Sequence, residues 1–559
     1  MDNTRRQTRT APRFCAGEDG ECVNRSRTDA LLISLQVDLD TIGLKQIHAV
    51  LQDRGFNSLL LYLPAFSPGD TVLMEQVPRF VADRNPGFVG ISLMSHEFSG
   101  AAALTDRLRQ AFPCLPVIWG GIHPTIAPEM CLDHADYVCV GEGEHAVAAL
   151  ARAFREGETV EHISNLCYRR KDRIVRNPLA PVIADLDGLP AGEHLPQAAY
   201  IAHRGSIASL DYHQLKRYGR WRGTVYSIMG SRGCPFACAY CCNDFFSRLY
   251  DAKKIRRRSV ASLVSELSRA IADHPQIEYI NFQDDCFLAC SDAYLEEFCV
   301  AYRRHVARPF VVRCIPVFVN ADRLKKLKDA GLAWMSLGLQ SGSNRVLVNV
   351  YNRSSTAEHF LTAARLVHEA GIAAYYDVIL DNPLENDEDR YKTIEVLTAA
   401  PRPYFLQLFT LTLYPGSSLY ERITADSPEL ADAYLSKNFY HYRHTSMNKL
   451  IRISAYLPVS TVRRLIAYGR SRPQSAGFRL TLFAAGLLST LVLEPLAYFR
   501  VIQMSQNGSA KKTFKQIPVF FRIGFSRYVK QFSRGLTTIA ERWVRDDLTS
   551  GNQSKNFRR

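Results

Sequence analysis

Twice along this 559-residue chain, short apolar runs bounded by glycine or proline alternate with helical patterns, and that alternation leaves few folds open. In the first series, from about Asp29 to Phe154, the runs Ala30–Leu35, Asn57–Leu63, Phe88–Leu93, Pro116–Trp119 and Tyr137–Val140 read as strands. Gly43–Arg54 and a stretch ending at Phe112 read as helices between them. Buried strands separated by helices predict an α/β fold built on a doubly wound parallel sheet. Such sheets bind ligands outside the carboxyl ends of their strands. Gly120-Gly-Ile-His-Pro-Thr125 and Gly141-Glu-Gly-Glu144 fall there, where glycine lets the backbone approach a bulky ligand closely. No G-x-G-x-x-G follows the first strand, which speaks against NAD or FAD.

The second series runs from Thr224 to about Glu421. Its strands are Thr224–Met229, Ile277–Phe282, Phe310–Ile315, Trp334–Leu339, Ala373–Leu380 and Tyr404–Phe409. Amphipathic helices are expected over Val260–Asp273, Asp292–Arg304, Ala321–Ala330, Ser355–Ala370 and Asp387–Ala399. Six βα units are too few to close an eight-fold barrel, so a partial barrel is expected. Polar residues gather where its strands end, the catalytic face of such barrels: Gln283-Asp284-Asp285, Arg313, Gln340-Ser341, Asp381-Asn-Pro383 and Pro415-Gly-Ser417.

Directly after the first of these strands, Cys234, Cys238 and Cys241 are spaced C-x3-C-x2-C on one loop. Thiolates so close can converge on one metal centre, and thiolate is a ligand iron–sulfur clusters use. A structural zinc site wants a fourth Cys or His at similar range, and none follows at such spacing. A zinc loop and a redox dithiol are the alternatives that spacing alone leaves open. Cys242 is expected as a buried neighbour of the ligand Cys241, packing as a small hydrophobe.

The cysteine spacing and its barrel context resemble the radical S-adenosylmethionine (SAM) superfamily. The resemblance implies that Cys234, Cys238 and Cys241 hold a [4Fe-4S] cluster, and that the open iron takes the amino and carboxylate groups of SAM. It implies reductive cleavage of SAM to a 5′-deoxyadenosyl radical. Tyr240 stands where the family places an aromatic residue against the adenine. Gln340 and Ser341 match the family's Gly-x-Glu/Gln-Ser-Gly element, and Gln283, Asp284 and Asp285 replace its usual Gly-Gly-Glu. With Arg313, these residues are the expected SAM grip. Asp381-Asn-Pro383 stands where many relatives carry Gly-x-Pro.

The first series resembles the cobalamin-binding domain that often precedes such a barrel. The family's Asp-x-His-x-x-Gly motif aligns with Asp38-Leu-Asp40-Thr-Ile-Gly43, with aspartate where a cobalt-ligating histidine would stand. Asp38, Gly43, Ser92, Gly120, Gly121, Gly141 and Gly143 are then the expected cobalamin contacts, with no histidine ligand to cobalt. A degenerate Rossmann-like domain that binds nothing is the alternative. His48 and His123 are not expected to ligate cobalt.

The division expected is residues 1–27 disordered, 28–155 the cobalamin-binding Rossmann-like domain, 156–222 a linker, 223–423 the partial (β/α)6 barrel and 424–559 a helical basic region. Residues 1–13 are basic and polar with no apolar core behind them, so a reducing cytoplasm is the expected compartment. Cys15 and Cys22 flank a glycine-rich loop and are expected to be solvated. Leu480–Leu493 is 14 uncharged residues closed by Glu494-Pro495, short of the roughly 20 a spanning helix needs. Residues 500–559 carry 13 Lys/Arg against 3 Asp/Glu, most of the chain's net charge of +14. Nucleic acid or an anionic membrane could accept such a tail, and the neighbouring apolar helix favours peripheral contact with the inner face of the membrane.

Together these readings describe a cobalamin-dependent radical SAM enzyme. Hydrogen abstraction from an unactivated carbon and methyl transfer from methylcobalamin are expected. The partners expected are a small-molecule substrate, lipid or otherwise hydrophobic, and a reductase, flavodoxin or ferredoxin as electron donor. A radical SAM cyclase or oxidase, or a non-catalytic corrinoid or iron–sulfur sensor, are the other readings. No side chain is singled out as catalytic.

Overall fold

The computed structural model of the protein describes residues 28–64, 66–251, 255–430, 442–472 and 475–506. Strands are numbered in chain order. In the first series β1 (Ala30–Ser34), β2 (Ser58–Tyr62), β3 (Phe88–Ser92), β4 (Val117–Gly120) and β5 (Tyr137–Cys139) form a parallel centre. Their side chains are almost all buried, because helices such as Ile42–Asp53 and Phe98–Ala111 cover the sheet. Residues 156–222, expected as a linker, add four more strands to the same sheet. β6 (Leu166–Arg170) and β7 (Arg173–Arg176) form an antiparallel hairpin beside β5, turning at Lys171 with φ of 54°. β8 (Ala199–His203) extends β2 in parallel, and β9 (Ser206–Ser209) closes that edge. The described order is β7-β6-β5-β4-β3-β1-β2-β8-β9. Chain direction across the sheet reverses between β1 and β3, which opens a crevice at their carboxyl ends.

The second described sheet is β10 (Val225–Ile228), β13 (Tyr279–Phe282), β14 (Phe310–Cys314), β15 (Leu332–Gln340), β16 (Ala373–Leu380) and β17 (Phe405–Thr410), paired in that order and all parallel. A small ribbon, β11 (Ser231–Arg232) with β12 (Arg256–Arg257), rises beside the end of β10. The helices between strands start at side-chain caps. Ser259 accepts from the Ser262 amide at 3.1 Å, and Asn386 from that of Asp389 at 3.0 Å. The six strands and their helices make the expected partial (β/α)6 barrel.

Near the amino ends of these strands the barrel is filled by rings. Trp334 stacks on Tyr375 with centroids 4.8 Å apart, Tyr375 on Phe405 at 5.4 Å, and Phe405 meets Tyr498 at 4.4 Å. Tyr498, Val501 and Ile502 come from the C-terminal region and close this floor from below.

They belong to one helix of 30 residues, Ala476–Ser505. The helix therefore does not stop at Glu494-Pro495, as the sequence suggested. The turn before Pro495, Ser489–Leu493, is wound as a π-helix, whose wider ring tolerates the donor that proline lacks. Glu494 is buried, with Arg452 Nε 3.2 Å away. Ser418–Asp426, Ser446–Ser454 and Val459–Ser471 are the other described helices of this region. Cys15, Cys22 and the basic tail beyond residue 506 lie outside the described residues.

Candidate active site

The cysteine loop leaves the β11 ribbon at Gly233, whose φ of 98° favours glycine, and ends at the helix Cys242–Leu249, for which Cys241 is the N-cap. It is tied down on three sides. The Cys241 amide donates to the Cys238 carbonyl at 2.9 Å, that of Ala239 to Tyr351 at 2.8 Å, and that of Leu419 to Ala239 at 2.9 Å. Burial pushes the Cys234 thiol up to about 12, with Cys241 and Cys238 adding to the rise. The three thiols therefore lie within electrostatic reach of one another. Cys241 is raised by a hydrogen bond to Cys242 and by burial. Cys242, expected to be buried, is half-buried as the first residue of the helix Cys242–Leu249. Among the described residues, no three His, Cys, Asp or Glu are gathered for a single ion.

Two buried charges hold this loop, a role that motif spacing does not reveal. Asp284 is fully buried, accepting from the Gly230 amide at 2.9 Å and from the Ser231 hydroxyl, with Arg257 at 3.8 Å. Burial raises its carboxyl, and these donors pull the other way. It was expected to grip SAM; its partners show it instead fastening the entry to the cysteine loop. Arg353 donates to the Tyr240 hydroxyl at 3.2 Å and to the Gly338 carbonyl at 2.8 Å, and hydrogen-bonds the Cys238 thiol. A Cβ at Gly338 would come within 2.6 Å of the Gln340 side-chain amide and 3.1 Å of this guanidinium, so glycine suits that position.

Gln283 is half-buried and its amide donates to Ile228 at 2.8 Å; Asp285 beside it is hydrogen-bonded to the Asn243 side chain, which opposes the rise that burial gives its carboxyl. Arg313 reaches back to the Phe282 carbonyl at 3.2 Å. Gln340 ends β15 with φ of 67°, turned out by a register shift against β16. Ser341, expected on SAM, is 1% exposed and donates to Glu385 at 2.8 Å, so its hydroxyl is committed within the protein. Burial pushes the Glu385 carboxyl up to about 7. Asp381 accepts from Thr410, the Arg443 amide and Asn448, each at 2.8 Å. Inside the barrel, Asp377 accepts from Ser336 at 2.7 Å while its Oδ1 has no partner, and burial raises the carboxyl to about 6.

Gly43, Ser92, Gly120, Gly121, Gly141 and Gly143 all line one cavity of about 280 Å³ at the carboxyl edge of the first sheet. Its opposite wall is the barrel: Tyr226, Ser227, Met229 and Arg232. A Cβ at Gly43 would meet nothing within 4 Å, and one at Gly120 only Cys139 at 3.8 Å, so the space before them is open. Gly141 differs. A Cβ there would strike the Tyr250 hydroxyl, which accepts from the Glu142 amide at 3.0 Å, so this glycine admits a barrel side chain. Asp38 does not line the cavity; it caps the Asp40 amide at 3.1 Å and pairs with Arg220 at 3.4 Å. Asp40 does line it, held by Arg220 at 2.5 Å and by the Ser227 hydroxyl at 2.7 Å.

Glu142 and Glu144 also bind the barrel. Arg232 reaches Glu142 at 3.0 Å and Glu144 at 2.5 Å, and Arg256 reaches Glu142 at 2.8 Å. Burial pushes the Glu142 carboxyl up, but Arg256 and Arg232 bring it below its ordinary value. His48 and His123 are outside the cavity, each with Nδ1 beside a serine hydroxyl, and burial lowers both to about 4. His194 does line the cavity, but its Nε2 donates to the Gly223 carbonyl at 3.1 Å.

Two family models match this chain: the B12 binding domain over residues 28–151 and the Radical SAM superfamily over residues 228–397. The chain belongs to the radical SAM superfamily, with a B12-binding domain ahead of its barrel. It is a cobalamin-dependent radical SAM enzyme. An uncharacterized methyltransferase of Pyrococcus horikoshii is 24% identical over 361 residues, 64% of this chain and 74% of that one. An anaerobic magnesium-protoporphyrin IX monomethyl ester cyclase of Synechocystis is 25% identical, covering 64% and 68%. Among solved structures, the radical SAM methyltransferase TsrM of Kitasatospora setae matches with a TM-score of 0.56 at 19% identity, over 71% of this chain and 76% of that one. The cobalamin-dependent radical SAM enzyme OxsB with aqua-cobalamin bound gives 0.58 at 14%, covering 91% and 81%.

The residues present fit the cofactors of such an enzyme. Three thiols on one anchored loop are donors of the kind an iron–sulfur cube takes. Gly43 and Gly120 leave the open surface a flat macrocycle needs. Like other radical SAM enzymes, the chain takes a small-molecule substrate and electrons from a donor.

Proposed function

We propose that this chain is a radical SAM C-methyltransferase acting on a small hydrophobic molecule. The observation that carries the reading is the shared cavity: glycines of the B12-binding sheet form one wall, and β10, the strand that leads into the cysteine loop, forms the other. When bound, the cluster and SAM supply a hydrogen-abstracting 5′-deoxyadenosyl radical, and cobalamin supplies a methyl group.

On this reading Cys234, Cys238 and Cys241 are the thiolate ligands. Tyr240, fixed by Arg353, flanks the adenine, and Gln283, Asp285, Arg313 and Gln340 present polar groups to SAM. Asp284 and Ser341 support that grip from behind. Gly43, Ser92, Gly120, Gly121 and Gly143 face the corrinoid. Asp40 has no imidazole and is spent on Arg220 and Ser227, so cobalamin is held without a histidine ligand. Flavodoxin or ferredoxin is the proposed donor. The enzyme works in the cytoplasm, peripherally at the inner face of the membrane. The methyltransferase relatives support methyl transfer; the cyclase relative supports ring closure without it as a second reading.

The test is anaerobic turnover with SAM bearing a trideuterated methyl group, offered membrane lipid extracts. Methyl transfer yields S-adenosylhomocysteine beside 5′-deoxyadenosine and a product carrying the label. Formation of 5′-deoxyadenosine with product but without S-adenosylhomocysteine would select the second reading.

A further inference from the structure

The long helix Ala476–Ser505 has two unlike sides. Inward, Phe478 and Leu482 join the barrel core, and buried Glu494 pairs with Arg452. Outward, Leu480, Phe483, Leu487 and Leu491 recur at helical spacing and stand 69%, 63%, 48% and 67% exposed. Such a row of large apolar side chains in water marks a contact surface. The stretch Leu480–Leu493 has no charge; Arg479 precedes it and Glu494 closes it.

We propose that this face docks on an anionic lipid surface, with the helix lying in the plane of the headgroups. This deepens the reading of the chain as a peripheral membrane enzyme and rests on it. Charge selects the occupant. Residues 500–559 carry 13 Lys/Arg against 3 Asp/Glu, which attracts an anionic bilayer and repels a second copy of the same region. Fixation selects the orientation. At about 1.5 Å per residue the helix is long enough to span a bilayer, but its inner side is already packed on the barrel along its length.

Docking in this way lays the barrel on its flank. The helix begins beside a cavity of about 480 Å³ at the end of β16, lined by Asp381, Asn382, Arg390, Tyr391 and Asn448 together with Phe478 and Arg479 of its own first turn. It ends under the aromatic floor.

The experiment uses the full-length reconstituted enzyme and phosphatidylcholine vesicles with or without phosphatidylglycerol, across a salt series. Wild type is expected to sediment with the anionic vesicles and to be released as salt rises. A triple variant, Leu480→Gln with Phe483→Gln and Leu487→Gln, is expected to bind at least about tenfold more weakly, with iron content, melting temperature and 5′-deoxyadenosine formation unchanged. Arg479→Glu alone is expected to weaken binding to anionic vesicles only. Wild-type binding by the triple variant, no binding by wild type, or equal binding to neutral vesicles at high salt would each overturn the proposal. So would a wild-type dimer in solution that the triple variant loses. Vesicle binding without any SAM cleavage would instead remove the enzymatic reading and leave the docking surface standing.

Discussion

At their carboxyl ends the barrel strands finish in Gln283, Arg313, Gln340 and Asp381; near their amino ends they carry Val225, Tyr279, Trp334, Tyr375 and Phe405. The two ends of one barrel are therefore made on opposite principles. The floor is packed rings, and the helix Ala476–Ser505 covers it with Tyr498, Val501 and Ile502. The mouth holds left-handed backbone at Gln340 and Asp381, with φ of 67° and 59°, and the half-buried Glu385 carboxyl is raised there, as is that of Asp377 deeper in the barrel. Such backbone costs on the order of 1–3 kcal/mol per residue and persists where surroundings enforce it. Stability is concentrated at one end, and the groups poised for chemistry at the other.

Substitutions at the two ends should accordingly fail in different ways. Cys238→Ala at the mouth has the largest expected effect: iron and 5′-deoxyadenosine fall to background, while the melting temperature of the iron-free protein stays near that of wild type. Elemental analysis and chromatography of the reaction read it. Trp334→Ala at the floor should do the reverse, costing about 3–5 kcal/mol of stability in denaturant unfolding with cluster loading per folded chain retained. A variant that lost the cluster and kept its stability at the floor would break the comparison.

The smallest effect is a slope. Glu385 is raised from 4.5 to about 7, mainly by burial, so between those values the native chain holds a proton that the unfolded chain has released. Stability should therefore fall as pH rises through that window. Glu385→Gln should flatten this part of the stability–pH curve, as measured by denaturant midpoints.

Both sheets were legible in the sequence because their strands and helices are local patterns. Val260–Asp273, Ala321–Ala330 and Asp387–Ala399 have the bounds that periodicity predicts. What was not legible depends on partners far along the chain. Glu142 and Glu144 lie in a glycine loop that reads as a ligand cradle, yet they bind Arg232 and Arg256 of the barrel. Asp284 looks like a ligand residue until Ser231 is folded against it, and Ser341 until Glu385 is. Glu494-Pro495 reads as a helix stop because neither its partner Arg452 nor the π-turn before it is a local signal. The two outermost strands, β7 and β9, are short and largely exposed, so their apolar content is too low to announce them.

The account rests on the cavity between the two sheets holding a corrinoid that no histidine ligates. Electron paramagnetic resonance of the protein loaded with hydroxocobalamin and reduced to the cob(II)alamin state tests this most directly. The account predicts that corrinoid is retained through gel filtration and that its spectrum lacks the nitrogen splitting of an imidazole ligand. Failure to retain corrinoid, or that splitting in the spectrum of the bound form, would contradict it.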